Sequence, residues 1–455
     1  MVGSPSSHVA VGRVTRGGFE YTEGAQIIWP GDTSGTTKIP QDILRSDPKN
    51  LSIGWVVESS WATPALRQEL RMYAQQAMDE VNDDLFILPN THLTLDCTEC
   101  FGNVLVHGND LTVEAHNVIY DRSQAAGRPL AAVLGSSSSH MAKIYANNAT
   151  VTKRGIGVPI VGYATGAGTL SDSTKFPNFI RMFPPASETQ HIYKKMALQW
   201  GWTRVGLITD KNDAFSMSFF DLMNGTNPND PGNLQPPLNA ASEGGPYDAT
   251  RLDIAHTEII DLGKDTNATK DALVAAIKAK DIKVFILFGQ TAFIEGIVLY
   301  GLDRGIFGDG YQVLVTDSSV FPNKMDPRCH GTMDGAVLVQ AAGISPQYTG
   351  LQRASMFWKR HPPTQASVGA DTTTPFHVDG REPRFKDAAI YDAVRFAAKA
   401  IDACLKDGCR PVGYGYEEVM PYYRAASIDG VAGPTSIKAG SNDPKVREMV
   451  GRCGT

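Results

Sequence analysis

Residues 131–142, AAVLGSSSSHMA, decide the fold of this chain, because they join a short apolar run directly to a helix start. The run AAVLG is typical of a buried strand, and the serines after it are typical of a helix N-terminus. Ser138 and Ser139 would cap that helix, whose first N–H groups carry positive partial charge. Hydroxyls beside such donors can bind a carboxylate or another anion, although capping alone also explains the serines.

The same order of strand and helix repeats from residue 51 onward. Apolar runs predict strands at LSIGWVV (51–57), PIVGYA (159–164), RVGLIT (204–209) and KVFILFG (283–289). After the first of these, apolar residues recur at helical spacing over 66–81 and predict an amphipathic helix. This alternation predicts an α/β fold with largely parallel sheets.

A second loop follows the strand that is predicted at 159–164. It reads ATGAG (164–168), and we expect its backbone N–H and C=O groups to be free. Ligands of open parallel sheets bind outside the carboxyl ends of the strands. The serine run and this loop are therefore predicted to form one half of a ligand pocket.

Composition excludes several classes of protein. The 455 residues include 42 Lys and Arg against 48 Asp and Glu, a formal net charge of −6, which argues against a nucleic-acid partner. With 42% hydrophobic residues the chain can bury large cores, and its length is typical of two or three domains. No apolar run approaches the ~20 residues of a membrane span.

The sequence contains none of the common catalytic or metal-binding motifs. No H-E-x-x-H, G-x-S-x-G or P-loop pattern occurs, and GYATGAGT (162–169) lacks the G-x-G-x-x-G order of a dinucleotide loop. We therefore expect no catalytic residues, no metal, no cofactor and no enzymatic activity. An α/β enzyme such as a nucleotide-dependent oxidoreductase is the alternative, and turnover of a ligand would reveal it.

The cysteines and sequons bear on the compartment. The even number of six cysteines fits a disulfide set, and we favour a disulfide role for CTEC (97–100) over free thiols. Four N-x-[ST] sequons begin at Asn50, Asn148, Asn224 and Asn267, a number that chance also gives. The segment from Met1 shows no apolar run of a secretory leader, so either a leader is missing or the protein is intracellular.

Several segments resemble the receptor-family ligand-binding region, which has the type I periplasmic-binding-protein fold. The resemblance is carried by residues 73–89, 131–142, 158–190, 198–222 and 388–403. Within them, TLSDSTKFPNFIRMFPP (169–185) and WGWTRVGLI (200–208) are most similar to the extracellular domains of metabotropic GABA and glutamate receptors, which are class C G protein-coupled receptors.

The resemblance implies a bilobed clamshell of two Rossmann-like lobes joined by three crossovers. The crossovers are expected near Phe183–Pro185, near Met333–Val339 and near GVAGPTSI (430–437). The expected division is a tail without clear helix or strand at 1–50, lobe 1 at 51–183 and 336–432, lobe 2 at 184–335, and a return toward lobe 2 at 433–455.

The resemblance also implies ligand-binding positions in lobe 1. Ser138 and Ser139 fall where family members grip the α-carboxylate of an amino acid, in agreement with the helix-end argument. The next contacts fall on Ala164 and Gly166. Because Thr or Ser is common in the family at the second of these, Gly166 removes a hydroxyl contact unless Thr165 compensates.

Three further positions would complete the cleft. Phe215 falls on the lobe 2 aromatic that covers the ligand, and Asp317 falls on the acid that pairs with the ligand amine. Trp61 would line the cleft from lobe 1. Asp317 is equally explained as a turn-capping carboxylate, and Trp61 as ordinary packing.

These positions predict an extracellular domain that senses a small amino-acid-like zwitterion and signals by lobe closure. The domain would be a disulfide-bonded glycoprotein that is secreted, periplasmic or on the outer face of a membrane. It would be dimeric through lobe 1 and tethered to a membrane module absent from this chain. One alternative is a free solute-binding protein that serves a transporter, and another is a receptor guanylyl cyclase ectodomain. A third alternative follows from the absence of a hydroxyl side chain at Gly166. In it the cleft binds no ligand, and the subunit serves as a dimer partner.

Overall fold

A computed structural model describes most of the chain in two compact units, residues 1–49 and residues 50–455, and each unit is considered by itself. The described residues are 12–15, 18–21, 49–55, 64–84, 86–97, 118–135, 138–146, 158–224, 253–316, 325–341, 347–361, 385–412, 416–445 and 449–453.

The first unit contains a β-hairpin. Strand β1 (Gly12–Thr15) pairs antiparallel with β2 (Gly18–Tyr21), and Gly12 lies opposite Tyr21. The prediction that residues 1–50 lack strand is therefore wrong here. The missed signal is a two-residue Arg-Gly connection between two short runs that contain β-branched and aromatic residues, which is typical of a tight hairpin.

The second unit is built on two sheets, which define lobe 1 and lobe 2. In the lobe 1 sheet the strand order is β4-β3-β5-β6-β7, and in the lobe 2 sheet it is β15-β12-β11-β10-β8-β9. Pairing is parallel from β3 through β5 and β6 to β7, and from β9 through β8, β10 and β11 to β12. The strands are β3 (Lys49–Trp55), β4 (Thr91–Cys97), β5 (Leu130–Leu134), β6 (Ile160–Gly162), β7 (Phe179–Arg181), β8 (Arg204–Asp210), β9 (Asp253–Ile260), β10 (Val284–Phe288), β11 (Gln312–Thr316), β12 (Val337–Ala341) and β15 (Met449–Cys453), with a separate hairpin of β13 (Ser427–Gly430) and β14 (Gly433–Ser436).

Helices cover both faces of each sheet, as an α/β fold requires. The helices are α1 (Pro64–Asp83), α2 (Ser139–Ala146), α3 (Ala186–Gln199), α4 (Ala214–Asn224), α5 (Asn267–Ala279), α6 (Thr291–Leu302), α7 (His330–Asp334), α8 (Thr349–Arg360), α9 (Phe385–Lys406) and α10 (Tyr416–Ala425). In lobe 1, α1, α8, α9 and α10 contribute to one core and α2 to the other. In lobe 2, α5 and α6 cover one face of the sheet, and α3 and α4 cover the opposite face. The predicted α/β class is confirmed.

Strand pairing moves two of the predicted lobe boundaries. β12 pairs with β11, so residues 337–341 belong to lobe 2, and the boundary predicted at 336 is too early. A parallel strand that is buried on both faces is continuously apolar, and such a run does not reveal which sheet it joins.

The return to lobe 2 also begins later than predicted. The β13–β14 hairpin packs on α8 and α9 of lobe 1, so residues 433–436 are still part of that lobe. Among the described residues after β14, the strand that joins the lobe 2 sheet is β15, an antiparallel neighbour of β12.

Helix α9 carries a buried carboxylate that holds the β13–β14 hairpin. Asp392 accepts hydrogen bonds from the backbone N–H groups of Val431 (2.7 Å) and Ala432 (2.9 Å), in the turn of the hairpin. Burial raises the pKa of Asp392 to about 7, although the two N–H donors favour its charged form. The folded protein therefore retains a proton on this group at pH values where the unfolded chain has lost it.

We expect this carboxylate to make the stability depend on pH. Between the ordinary pKa of 3.8 and about 7, the folded state binds more protons, so the free energy of unfolding decreases as pH rises through that window. In the parent protein this group should change the free energy of unfolding by up to about 4 kcal/mol across the window, and the Asp392→Asn variant should lack that change. Urea unfolding at pH 4 to 8, followed by tryptophan fluorescence, measures it.

The control for this experiment is Asp309→Asn, at an exposed carboxylate of lobe 2. It should leave the pH dependence unchanged. An Asp392→Asn variant whose unfolding free energy follows the same pH curve as the parent protein would contradict the assignment.

Candidate functional site

The carboxyl ends of the lobe 1 strands face helix α4 of lobe 2. Ser139 begins α2 just after β5, and residues 163–168 follow β6. α4 follows β8 in lobe 2, and it packs on both α2 and the short 3-10 turn Gly168–Ser171. These elements form the described part of the cleft between the lobes.

The two serines have different roles in the structure. The Ser138 hydroxyl accepts the N–H of Met141 (3.4 Å), which is a helix cap. The Ser139 hydroxyl is nearly buried and accepts the N–H of Ala167 (3.1 Å) on the neighbouring loop. Ser139 therefore joins the two predicted pocket segments.

The backbone of the loop after β6 is largely paired, so the expectation that its N–H and C=O groups are free is wrong. The carbonyls of Thr165 and Ala167 accept from Arg181 at 3.1 and 2.7 Å. The carbonyl of Gly166 accepts the N–H of Ala186, the first residue of α3, at 2.7 Å. These groups are paired because a buried backbone N–H or C=O without a hydrogen-bond partner destabilises the folded state.

Arg181 is the residue that organises this loop, and sequence reasoning missed it. Its side chain is fully buried and makes five hydrogen bonds, to Thr165, Ala167, Ser171 and Asp443. The pair with Asp443 has a distance of 2.6 Å. A charged residue within the apolar run FIRMF (179–183) was the available signal, because buried arginine needs a partner.

Thr165 is unsuited to replace the hydroxyl that Gly166 lacks. It is fully buried, its hydroxyl lies against Gly162 inside lobe 1, and the hydroxyl has no hydrogen-bond partner among the described residues. The neighbouring Ala164 is also buried.

Gly166 and Phe215 meet across the cleft. A Cβ atom placed on Gly166 would overlap the Phe215 ring, so a Thr or Ser at this position is incompatible with the observed contact. The ring is half-buried and makes an edge contact with Phe219, with centroids 5.0 Å apart. Glycine at 166 therefore has a structural reason, namely to admit the aromatic ring of lobe 2.

Two predicted site residues, Asp317 and Trp61, lie outside the described residues, so their roles remain predictions. Within the described part of the chain, no group of three or more potential ligands could hold a metal ion, and no helix is long and apolar enough to span a membrane.

The cysteines include structural disulfides. Cys404 at the end of α9 is bonded to Cys409, and Cys97 of the predicted disulfide motif is also disulfide-bonded. Cys329 is a free, buried thiol. Stable disulfides of this kind are typical of secreted and periplasmic proteins.

The model of the receptor family ligand binding region matches residues 72–447. The chain belongs to this family. No curated protein is significantly similar to the chain in sequence. The family resemblance inferred from the sequence is confirmed, and with it the ligand-binding character of the domain.

Two solved structures show the same bilobed fold. One is LivJ, a branched-chain amino acid transporter substrate-binding protein from Streptococcus pneumoniae in complex with isoleucine (TM-score 0.57, 15% identity, covering 89% of this chain and 100% of that chain). Another is a solute-binding protein of an ABC transporter from R. palustris in complex with 4-hydroxybenzoate (TM-score 0.60, 13% identity, covering 89% and 93%). At these identities the likeness establishes the fold alone.

We expect the Arg181–Asp443 pair to be essential for the stability of lobe 1. Arg181→Met should lower the free energy of unfolding by about 3–5 kcal/mol, because it leaves the Asp443 carboxylate buried without its partner. Adding Asp443→Leu should restore part of the loss, since the uncompensated charge is then removed. Chemical unfolding of the three proteins measures these differences.

The matched control is Arg204→Met, which removes an exposed pair with Asp253, where both side chains are about half exposed. Its effect should be under about 1 kcal/mol. Equal losses for the Arg181 and Arg204 variants would refute the special role of the buried pair.

Proposed function

We propose that this protein is an extracellular ligand-sensing domain that binds a small amino-acid-like molecule between its lobes and signals by changing their relative orientation. The observation that carries the proposal is the convergence of Ser139, the loop after β6 and Phe215 at the facing ends of the two lobes. A hydroxyl at a helix start suits a carboxylate, and an aromatic ring suits the apolar part of the ligand.

Sensing would need a difference in ligand affinity between the open and closed arrangements, because equal affinity shifts no equilibrium. We propose that a partner subunit in contact with lobe 1, and a membrane module like that of a G protein-coupled receptor, read the lobe rotation. The disulfides support an oxidising compartment, and a glycan on a sequon such as that of Asn267, which is exposed, fits the same location.

A solute-binding protein that delivers its ligand to a transporter is the second candidate. The two solved structures, one with isoleucine and one with 4-hydroxybenzoate, favour it as much as they favour a sensor. A transporter operon would support delivery, whereas a membrane-anchored signalling domain in the same gene product would support sensing.

We also propose that the protein binds its ligand without chemical change. The family match to a ligand-binding region supports this. Mass spectrometry of a ligand after prolonged incubation with the protein tests the proposal, and any converted product would refute it.

A thermal-shift screen tests the binding function directly. Suitable probes are the twenty amino acids, γ-aminobutyrate and 4-hydroxybenzoate. At about 100 times its Kd, a ligand of the native state should stabilise it by about 2.7 kcal/mol, which raises Tm by a few degrees. Ser139→Ala should weaken this shift, since the carboxylate loses a donor.

Ser427→Ala, at an exposed serine of β13, is the control and should leave the shift unchanged. A screen in which no probe raises Tm would argue against a cleft that binds small zwitterions. A ligand whose shift is the same in the parent, Ser139→Ala and Ser427→Ala proteins would bind elsewhere.

A further inference from the structure

Four aromatic side chains of lobe 2 form one chain of contacts that begins at the cleft. Phe215 makes its edge contact with Phe219, which lies four residues further along the same face of α4. Phe219 is stacked on Phe288, the last residue of β10, with centroids 5.4 Å apart. Tyr193 of α3 makes edge contacts with both Phe219 (6.2 Å) and Phe288 (6.4 Å). Because these three residues are buried, the ring at the cleft packs on a buried aromatic cluster.

Tyr193 is the member of this cluster that carries a polar atom. Its hydroxyl donates to the carbonyl of Val315 at 2.9 Å. Val315 is the last residue but one of β11, so the bond is made at the carboxyl end of that strand. Open parallel sheets bind their ligands just beyond this edge. One buried side chain therefore contacts both the aromatic cluster beneath Phe215 and a strand end at the cleft.

Packing alone does not explain a tyrosine at residue 193. A phenylalanine would fill nearly the same volume among these apolar neighbours without bringing a hydroxyl into the core. Removing a hydroxyl from water destabilises the folded state unless a hydrogen bond within the protein replaces the lost water. The bond to Val315 supplies that replacement, and it fixes the end of β11 relative to α3. The hydroxyl therefore has a positioning effect that the ring lacks.

We propose that Tyr193 is a positioning residue for ligand binding: its hydroxyl holds the carboxyl end of β11, and its ring holds Phe215 through Phe219. This role rests on the proposed function, because it concerns the lobe 2 side of the same site. Since it is fully buried, Tyr193 acts on the ligand only through these neighbours. It keeps an aromatic ring and a strand end in one arrangement, as a small ligand requires of groups that contact it from two elements.

Tyr193→Phe tests the hydroxyl, because it keeps the ring and removes the bond to Val315. Hydrogen exchange of the full chain, resolved to single amides by fragmentation in the mass spectrometer, is measured first without added ligand. We expect the amides of residues 314–316 to exchange up to about tenfold faster, since a hydrogen bond of ordinary net strength corresponds to about that factor. The amides of β5 in lobe 1 should exchange as in the parent protein.

Binding is then measured with the probe that gives the largest thermal shift among the amino acids, γ-aminobutyrate and 4-hydroxybenzoate. Its Kd should rise by about three- to tenfold in Tyr193→Phe. Because part of the effect passes through Phe215, the two positions should be coupled. The double variant of Tyr193→Phe and Phe215→Leu should bind the probe more tightly than the product of the two single effects predicts. A hydroxyl with a merely structural role would leave the Kd uncoupled.

Tyr423→Phe is the matched control. Tyr423 is a fully buried tyrosine of lobe 1 whose hydroxyl has no hydrogen-bond partner among the described residues. Its replacement by phenylalanine should change neither the exchange of residues 314–316 nor the Kd of the probe.

Two results would overturn the inference. One is exchange of residues 314–316 in Tyr193→Phe that equals that of the parent protein, and the other is a Kd that Tyr193→Phe changes no more than Tyr423→Phe does. Faster exchange together with weaker and coupled binding supports it. If no probe binds the parent protein, the proposed function fails and the role in binding fails with it. If a probe binds but the exchange is unchanged, the proposed function stands and only the role of Tyr193 fails.

Discussion

The guanidinium group of Arg181 is the constraint on which the rest of the cleft depends. Arg181 is the final residue of β7, just before the first crossover, and its partner Asp443 lies just before the return to lobe 2. The Arg181 N–H also donates to the Asn442 carbonyl at 3.0 Å. One fully buried side chain therefore joins two of the segments that connect the lobes, and it fixes the loop between β6 and β7 as well.

That arrangement has a consequence for recognition. Because Arg181 and Ala186 take the carbonyls of residues 165–167, the loop does not offer them to a ligand. The loop instead presents Gly166 to lobe 2, and Phe215 fills the space that a hydroxyl side chain would occupy. Gly166 replaces the Thr or Ser that is common at this position in family members that bind amino acids. The glycine is required by the Phe215 ring that packs on it, so the two residues form a single feature of the cleft.

Local periodicity was sufficient to predict the α/β class and a helix that begins at Ser138 and Ser139 after a buried strand, whereas the position of Phe215 was implied by the family resemblance. It was insufficient for β12, since an apolar run of that kind fits either sheet, and for the division of the chain after residue 336. The Arg181–Asp443 pair spans 262 residues, and no local pattern reports a contact at that separation. The paired backbone of the loop was missed because its partners, Arg181 and Ala186, lie on β7 and at the start of α3, outside the loop itself.

The way in which the lobes are held decides what kind of sensor the fold can be. When only a ligand bridges the cleft, closure reports binding, since the ligand supplies the difference in affinity between the two arrangements. In this chain the protein itself places the Phe215 ring on Gly166 and bonds the Gly168 amide to the Ser218 hydroxyl, so a ligand that enters there competes with contacts that already join the lobes. A side chain at residue 166 would displace the Phe215 ring without touching Ser139, so the contact between the lobes and the serine can be varied separately. Arg181 remains necessary in either case, because both depend on the loop that it holds.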